Sequence, residues 1–447
     1  MDPSTIGAIG FFAALALLML RVPIAFALMS VASVCVLLVF SWRPGMDPNF
    51  IAGLRPAVSL IEKSVFGFIH SYSLSMIPLF IAAGHLAYHS RITTDIYDSA
   101  RVWMSRLPGG LAMASIVGCG GFSAITGSSL ACASAMGRIC VPEMRRFGYS
   151  KEIATSSVAV GGTLGSLIPP SVLFIVYGIF TETSISRLFL AGALPGLLTL
   201  VGFIITVLIW VSLRPGVAPR VEETYSRSDR ISALIKTWPA VMLCVIIIGG
   251  IYGGWFTATE AAAVSLVFAA GFGLLSGRLG WRQLVESLRE TAHTTASLFL
   301  IAAGAKIFVS FVSLTGVTGY VVDAVAAAEL SNGMILLCIV VIYLIMGMFL
   351  DPLGTMLLTL PFVVPLVENM GYDLIWFGVV VVKLLEIGLI SPPLGLNVFV
   401  VSSVVREEVA VHTIFFGVMK FLVMDLIVLA LIVAFPIISL LLPGSMG

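Results

Sequence analysis

The chain has 447 residues, 59% hydrophobic and only 11% charged, with a formal net charge of +1 and a mean hydropathy of +1.10. A water-soluble domain carries about a quarter charged residues, so the composition excludes a soluble globular protein and places the chain in a bilayer. The net charge says nothing about nucleic acid, but no basic cluster is interleaved with aromatics as a nucleic-acid surface requires, so no nucleic-acid partner is expected.

The first apolar stretch follows Asp2, with no Lys or Arg before Arg21. It lacks the basic start of a signal peptide and reads as a first membrane span over 4–20. Further spans are predicted near 23–40, 74–90, 153–180 and 187–213. A second series follows near 237–253, 258–276, 293–314, 374–402 and 412–442. Between the third and fourth spans of each series lie 109–147, rich in Gly and Ser, and 333–370, interrupted by Pro and Gly. Both are too broken for simple crossings and are predicted to be re-entrant hairpins. Residues 50–70 and 279–292 mix charge with apolar spacing, as interfacial helices do. Glu260, in Phe256-Thr-Ala-Thr-Glu260, is expected to cap the seventh span. Cys35, Cys119, Cys132, Cys140, Cys244 and Cys338 have no metal-ligand spacing and read as packing residues. His70, His85, His89, His293 and His412 likewise show no ligand spacing and are expected at the interfaces.

The two series are copies. Gly165-Ser-Leu-Ile-Pro169-Pro170 recurs 223 residues later as Gly388-Leu-Ile-Ser-Pro392-Pro393. The same offset carries Val141-Pro142 onto Val364-Pro365 and Gly148-Tyr149 onto Gly371-Tyr372. An offset of 220 carries Phe80-Ile-Ala-Ala-Gly84 onto Leu300-Ile-Ala-Ala-Gly304. The chain therefore divides into a first repeat (1–213), a linker (214–236) and a second repeat (237–447). The fold class is an all-α membrane protein of two repeats, each with about five spans and one re-entrant hairpin.

Five crossings per repeat is an odd number, so the second copy enters the membrane inverted. Charge tests this through the positive-inside bias. With the N-terminus outside, the inner loops collect 17 basic residues: Arg21, Arg91 to Lys151, Arg214 to Lys236, Arg278, Arg282, Arg289 and Arg406. The outer side receives four, namely Arg43, Arg55, Lys63 and Arg187. Both termini are thus expected outside, with the linker on the inner face.

Paired, interrupted hydrophobic segments in corresponding halves point to a secondary transporter and its binding site. Pro169-Pro170 removes two N–H donors from the fourth span, within the broken helix 153–180. Gly161, Gly162 and Gly165 permit close approach. Freed carbonyls suit Na⁺, and an exposed helix N-terminus suits an anion. The second copy, within 374–402, repeats the pattern with Gly388, Ser391, Pro392 and Pro393, and adds Asn397. The competing reading is a pair of kinked helices without a ligand. The hairpin tips carry Thr126-Gly127-Ser128-Ser129 and Asp351-Pro352, followed by Gly354-Thr355. Small hydroxyl residues also serve plain helix packing, whereas a carboxylate in an apolar stretch is costly and usually functional. Asp351 could bind a cation or cap the next helix. Lys306, Lys383 and Glu386 fall inside predicted spans. Lys383 and Glu386 stand three apart on one face and could pair with each other; Lys383 reads either as part of an anion path or as half of a buried structural pair.

Several motifs resemble one family. Gly120-Gly-Phe-Ser-Ala-Ile-Thr-Gly-Ser-Ser129, Val141-Pro-Glu-Met144 and Gly161-Gly-Thr-Leu-Gly-Ser-Leu-Ile-Pro-Pro170 are similar to the large membrane subunit of TRAP (tripartite ATP-independent periplasmic) transporters. So are Gly253-Gly-Trp-Phe-Thr-Ala-Thr-Glu-Ala-Ala-Ala263, Asp351-Pro-Leu-Gly-Thr355 and Ile390-Ser-Pro-Pro393. Ala258 stands where the family often has proline. The resemblance implies an elevator-type, Na⁺-driven importer of organic acids in a bacterial inner membrane, among its lipids. Its partners would be a small membrane subunit (Q type) and a periplasmic substrate-binding protein (P type). By the same resemblance, substrate would meet Ser128, Ser129, Pro169, Pro170, Ser171, Pro352, Thr355, Pro392, Pro393 and Asn397. Two or more Na⁺ ions would meet Thr126, Ser128, Gly161, Gly165, Asp351, Gly354, Thr355 and Gly388. Three other readings are a stand-alone Na⁺/carboxylate symporter, a passive channel built on re-entrant hairpins, and an intramembrane enzyme. The last lacks any His-Glu-x-x-His pattern or spaced Ser-His pair.

Overall fold

The computed structural model describes residues 2–42, 47–219, 225–405 and 409–446, and every regular element among them is helical. Hydrocarbon offers backbone groups no partner, so a chain this apolar closes its hydrogen bonds within helices. The first repeat runs α1 (Pro3–Met19), α2 (Ile24–Ser41), α3 (Phe50–Ile69), α4 (Met76–His89), α5 (Ile92–Met104), α6 (Gly110–Thr126), α7 (Ser129–Arg146), α8 (Lys151–Leu167), α9 (Val172–Thr181) and α10 (Ile185–Leu213). The linker region carries α11 (Arg227–Lys236). The second repeat begins with α12 (Trp238–Cys244), a π-turn over Val245–Gly249 and α13 (Gly250–Tyr252). It continues through α14 (Ala258–Leu275), α15 (Trp281–Thr315), α16 (Val317–Ala327), α17 (Asn332–Phe349), α18 (Pro352–Asn369), α19 (Leu374–Ile390), α20 (Leu396–Val405), α21 (Val411–Ala434) and α22 (Ile437–Gly444).

Among the described residues, eight helical segments are long and apolar enough to cross a bilayer, or up to ten if each of two bent pairs is one span. Helix pairs turn at Gly127–Ser128 and at Leu350–Asp351, and breaks separate α8 from α9 and α19 from α20; α17 and α18, expected to be too interrupted to cross, are each long and apolar enough to do so. The expected interfacial helix 279–292 and span 293–314 instead fuse into the single 35-residue α15. No proline interrupts it, and its only glycine, Gly304, lies against the carbonyl of Ala25. The corresponding first-repeat pair, α3 and α4, is bent by 56° at the break His70–Ser71. The last predicted span, 412–442, is split at Pro436, which caps α22 and cannot donate to α21. α5, α11 and α16 were not anticipated, because each is too short or too polar to read as a span. Arg43, Arg220 and Arg406 from the charge count lie outside the described residues.

The two broken helices hold the centre. Every residue from Ile153 to Leu167 in α8, and from Trp376 to Ile390 in α19, is buried. Such all-round burial belongs to helices enclosed by other helices. α17, by contrast, buries only 17% of its most apolar stretch and turns most of its side chains outward. Glu260 forms the expected capping box with Thr257, whose N–H donates to Oε2 at 2.8 Å.

Candidate functional site

The first hairpin turns at Gly127, whose φ of +63° lies in the left-handed region that favours glycine. A side chain there would collide with the carbonyl of Pro170. Ser128 caps α7, its Oγ accepting from the Ala131 N–H at 3.4 Å. Gly165 of α8 sits directly beneath: a Cβ would lie 2.8 Å from both the Ser128 carbonyl carbon and the Ser129 nitrogen. The tip of the first hairpin is therefore seated on the break between α8 and α9. That break holds a cis Pro169-Pro170 bond, and Ser171 caps α9 by accepting from the Phe174 N–H at 3.3 Å.

The second repeat builds the same parts differently. Pro392-Pro393 is again cis, between α19 and α20, but Pro393 is exposed whereas Pro169 and Pro170 are buried. Asp351 caps α18, Oδ1 accepting from the N–H groups of Leu353 at 2.8 Å and Gly354 at 3.2 Å. Capping is thus established for Asp351, and one of its carboxylate oxygens is not engaged in the cap.

Both tips open onto one cavity of about 660 Å³, lined by Thr126, Ser128 and Ser129 from the first and by Asp351 and Pro352 from the second. The facing wall comes from α4 and α15, with His85, Tyr88, Glu290 and Thr294. His85 and His89 both lie close to the Glu290 carboxylate, at 3.0 and 3.2 Å. Arg138 lines the same space from α7. A neighbouring cavity of about 430 Å³ is bounded by Arg21, Asp351, Gly354 and Gly395, so Asp351 stands between the two.

Two buried oxygens near these breaks have no hydrogen-bond partner among the described residues: Thr355 Oγ1 and Asn397 Oδ1. Both residues are 0% exposed, and a buried polar atom left alone calls for a ligand, ion or water. Asn397 uses its other atom, Nδ2 donating to the Ala159 carbonyl at 3.2 Å. Among the described residues no group of three or more His, Cys, Asp or Glu could hold a metal. A donor set of hydroxyls, carbonyls and one carboxylate suits a hard alkali cation.

Several expected site residues have other duties. Gly161 packs against the Cys119 side chain of α6, 2.8 Å from where its Cβ would stand, and takes no place in the cavity. Gly388 faces Gly347 of α17, with a Cβ position 2.7 Å from that residue's backbone, and its carbonyl accepts from Ser391 N–H at 3.2 Å. Both positions are helix contacts, which explains glycine without an ion. Pro169, Pro170, Pro392 and Pro393 form the breaks and do not line the large cavity.

Lys383 and Glu386, which could have paired with each other, take different partners. Lys383 forms its ion pair with Asp425 of α21 and donates to Thr199 of α10 at 3.3 Å. Glu386 accepts from Ser129, whose Oγ is 2.7 and 2.9 Å from its two oxygens. Spacing along one helix finds the nearest charge in sequence, and here α21 supplies a nearer one in space. Asp425 is the only acid in α21, a signal available in the sequence. Ser166, 2.9 Å from Ser129, had no signal beyond its place beside Gly165.

Residues 11–438 match the family model of the "Tripartite ATP-independent periplasmic transporter, DctM component". The chain belongs to this family. It is 34% identical over 402 residues to the C4-dicarboxylate TRAP transporter large permease protein DctM of Pseudomonas aeruginosa, spanning 90% of this chain and 91% of that one. It is 34% identical over 387 residues to the sialic acid TRAP transporter large permease protein SiaM of Vibrio cholerae, covering 86% and 90%. An isethionate TRAP transporter permease protein, DctMQ of Oleidesulfovibrio alaskensis, is 34% identical over 363 residues, 80% of this chain and 56% of that longer one. The YdaH transporter of Alcanivorax borkumensis, whose crystal structure shows an unusual topology, shares the fold at a TM-score of 0.63 and 13% identity, over 100% and 99% of the two chains. This DctM-family chain is a multi-pass membrane transport protein, and its relatives are permeases rather than enzymes.

Proposed function

We propose that this chain is the large permease of a TRAP transporter that imports an organic acid into a bacterial cell, driven by Na⁺. The observation that carries this reading is the meeting of two hairpin tips, one from each repeat, at a single cavity. Each tip presents a helix N-terminus, at Ser128 and Asp351, where N–H groups and the helix dipole favour an anion. Arg138 adds a cation to the walls. The spare Asp351 oxygen, Gly354, the unpartnered Thr355 hydroxyl, and Thr126 and Ser128 are the positions proposed for Na⁺. Named relatives carry C4-dicarboxylate, sialic acid and isethionate, which supports an acid substrate.

In this mechanism Na⁺ closes the tips over the substrate, and hairpins and broken helices then slide as one body against a scaffold of the flanking spans. The inverted arrangement of the repeats, with both termini periplasmic in the inner membrane, provides the two access states. A small Q-type subunit and a periplasmic binding protein complete the system. The name DctMQ, borne by a relative of which this chain covers 56%, supports a Q partner.

Uptake by a reconstituted complex should require both an inward Na⁺ gradient and the binding protein. Equal uptake without Na⁺ would overturn the coupling, and uptake by this chain alone would favour a stand-alone symporter. Asp351→Asn keeps a capping oxygen while removing the charge. It should leave melting within about 1 kcal/mol of wild type yet lower uptake at limiting Na⁺ by about tenfold or more, the loss of one charge-assisted ligand.

A further inference from the structure

Among the described residues three Lys, Asp or Glu side chains are buried in the bundle, and their formal charges do not cancel. Lys383 and Glu386 are each 1% exposed and Asp425 is 0% exposed. The Lys383 ammonium is matched by Asp425. Among the described residues Glu386 has only hydroxyls at hydrogen-bonding distance: Ser129 at 2.7 and 2.9 Å, with Ser166 2.9 Å from Ser129. Two carboxylates and one ammonium leave one negative charge uncompensated where charge is costly. Asp425 Oδ2, too, has no partner among the described residues.

Among the described residues the elements packed around Glu386 form no ion pair with it, and Arg138 of α7, which lines the large cavity, is exposed. α10 offers Thr199, already bonded to Lys383. The tyrosines of α17 and α9 are engaged elsewhere, Tyr343 with Thr359 and Tyr177 with the Leu374 carbonyl. On α18 the nearest acid, Asp351, caps its own helix. Lys420, the one Lys or Arg of α21, turns to Glu152 at the start of α8, 3.5 Å away. The deficit is one positive charge.

We propose that Glu386, Ser129 and Ser166 form a binding site for one exchangeable monovalent cation, Na⁺ or a proton, in addition to the Na⁺ positions proposed above at Thr126, Ser128, Asp351, Gly354 and Thr355. The three side chains come from α19, α7 and α8, so the bound cation ties the first hairpin to the broken helices of both repeats. Ser129 and Ser166 also line the large cavity, which gives the site an entry route past the tip. Release of the cation removes the ligand shared by the three helices, linking occupancy to opening of the tip. Only the Na⁺ arm rests on the Na⁺-coupled reading above.

The test uses the purified complex of this chain with its small membrane subunit. Thermal stabilisation is measured as a function of Na⁺ at several pH values, and uptake into proteoliposomes is measured with the binding protein. Glu386→Gln removes the charge and keeps the shape. If Na⁺ is the occupant, the number of ions read from the Na⁺ dependence of stabilisation falls by about one. If a proton is the occupant, that number is unchanged and the pH dependence of stabilisation disappears. Asp425→Asn frees Lys383 to neutralise Glu386 and should produce the same loss. The double variant K383M/D425N leaves Glu386 uncompensated and should keep the wild-type ion number and pH profile. Identical Na⁺ and pH dependences in wild type, E386Q and D425N would overturn the proposal. Na⁺-independent uptake by wild type, with E386Q still changing the pH dependence of stabilisation, would refute the Na⁺-driven reading while upholding the site.

Discussion

Replacing Lys383 with methionine is expected to destabilise the protein by about 3–5 kcal/mol, the cost of leaving a buried carboxylate without its partner. Asp425 is fully enclosed, and its Oδ1 is held by Lys383 alone among the described residues. The pair joins α19 to α21, and the Lys383–Thr199 hydrogen bond adds α10, so three helices lose a common tie. Thermal melting of the purified protein measures the loss. The double variant K383M/D425L, which replaces both charges with apolar bulk, should recover most of it, because a buried ion pair exchanged whole for packed hydrocarbon is close to neutral. A K383M protein that melts with wild type would show that the pair carries no such burden.

Gly165→Ala should abolish uptake while the helices persist. The added Cβ would stand 2.8 Å from backbone atoms of Ser128 and Ser129, and backbone cannot swing aside as a side chain can. The hairpin tip must lift from the break at Ile168–Ser171, with a strain of about 1–3 kcal/mol. Such strain displaces the Ser129 hydroxyl from Glu386 and reshapes the cavity at the tip. Gly161→Ala is the comparison: its Cβ meets the Cys119 side chain instead, so the disturbance stays between α6 and α8. Uptake should fall far more in G165A than in G161A, by tenfold or more. Equal activities would show that the seat of the tip is not critical.

Much of the architecture was legible because hydrocarbon makes local rules strict. A run of apolar residues must become a helix, and a double proline must break it, so α8, α9, α19 and α20 could be read from Pro169-Pro170 and Pro392-Pro393 alone. The repeat offset located both hairpins for the same reason. Boundaries failed where interruption was subtle: α15 stays whole through its polar first turns, and Pro436 splits the last span at one residue.

The sequence by itself determined the helical membrane fold, its two-fold internal repetition, the hairpin tips and the family. Those properties follow from composition, spacing and the backbone's need for internal hydrogen bonds, each visible along one dimension. Only the tertiary structure decided which side chains meet. It showed that Gly161 and Gly388 are contact points, that Lys383 turns to Asp425, and that Glu386 reaches across 257 residues to Ser129. Charges inside a bundle choose partners by distance through the low-dielectric interior, where an unmet charge is severe, and that distance is unrelated to separation along the chain.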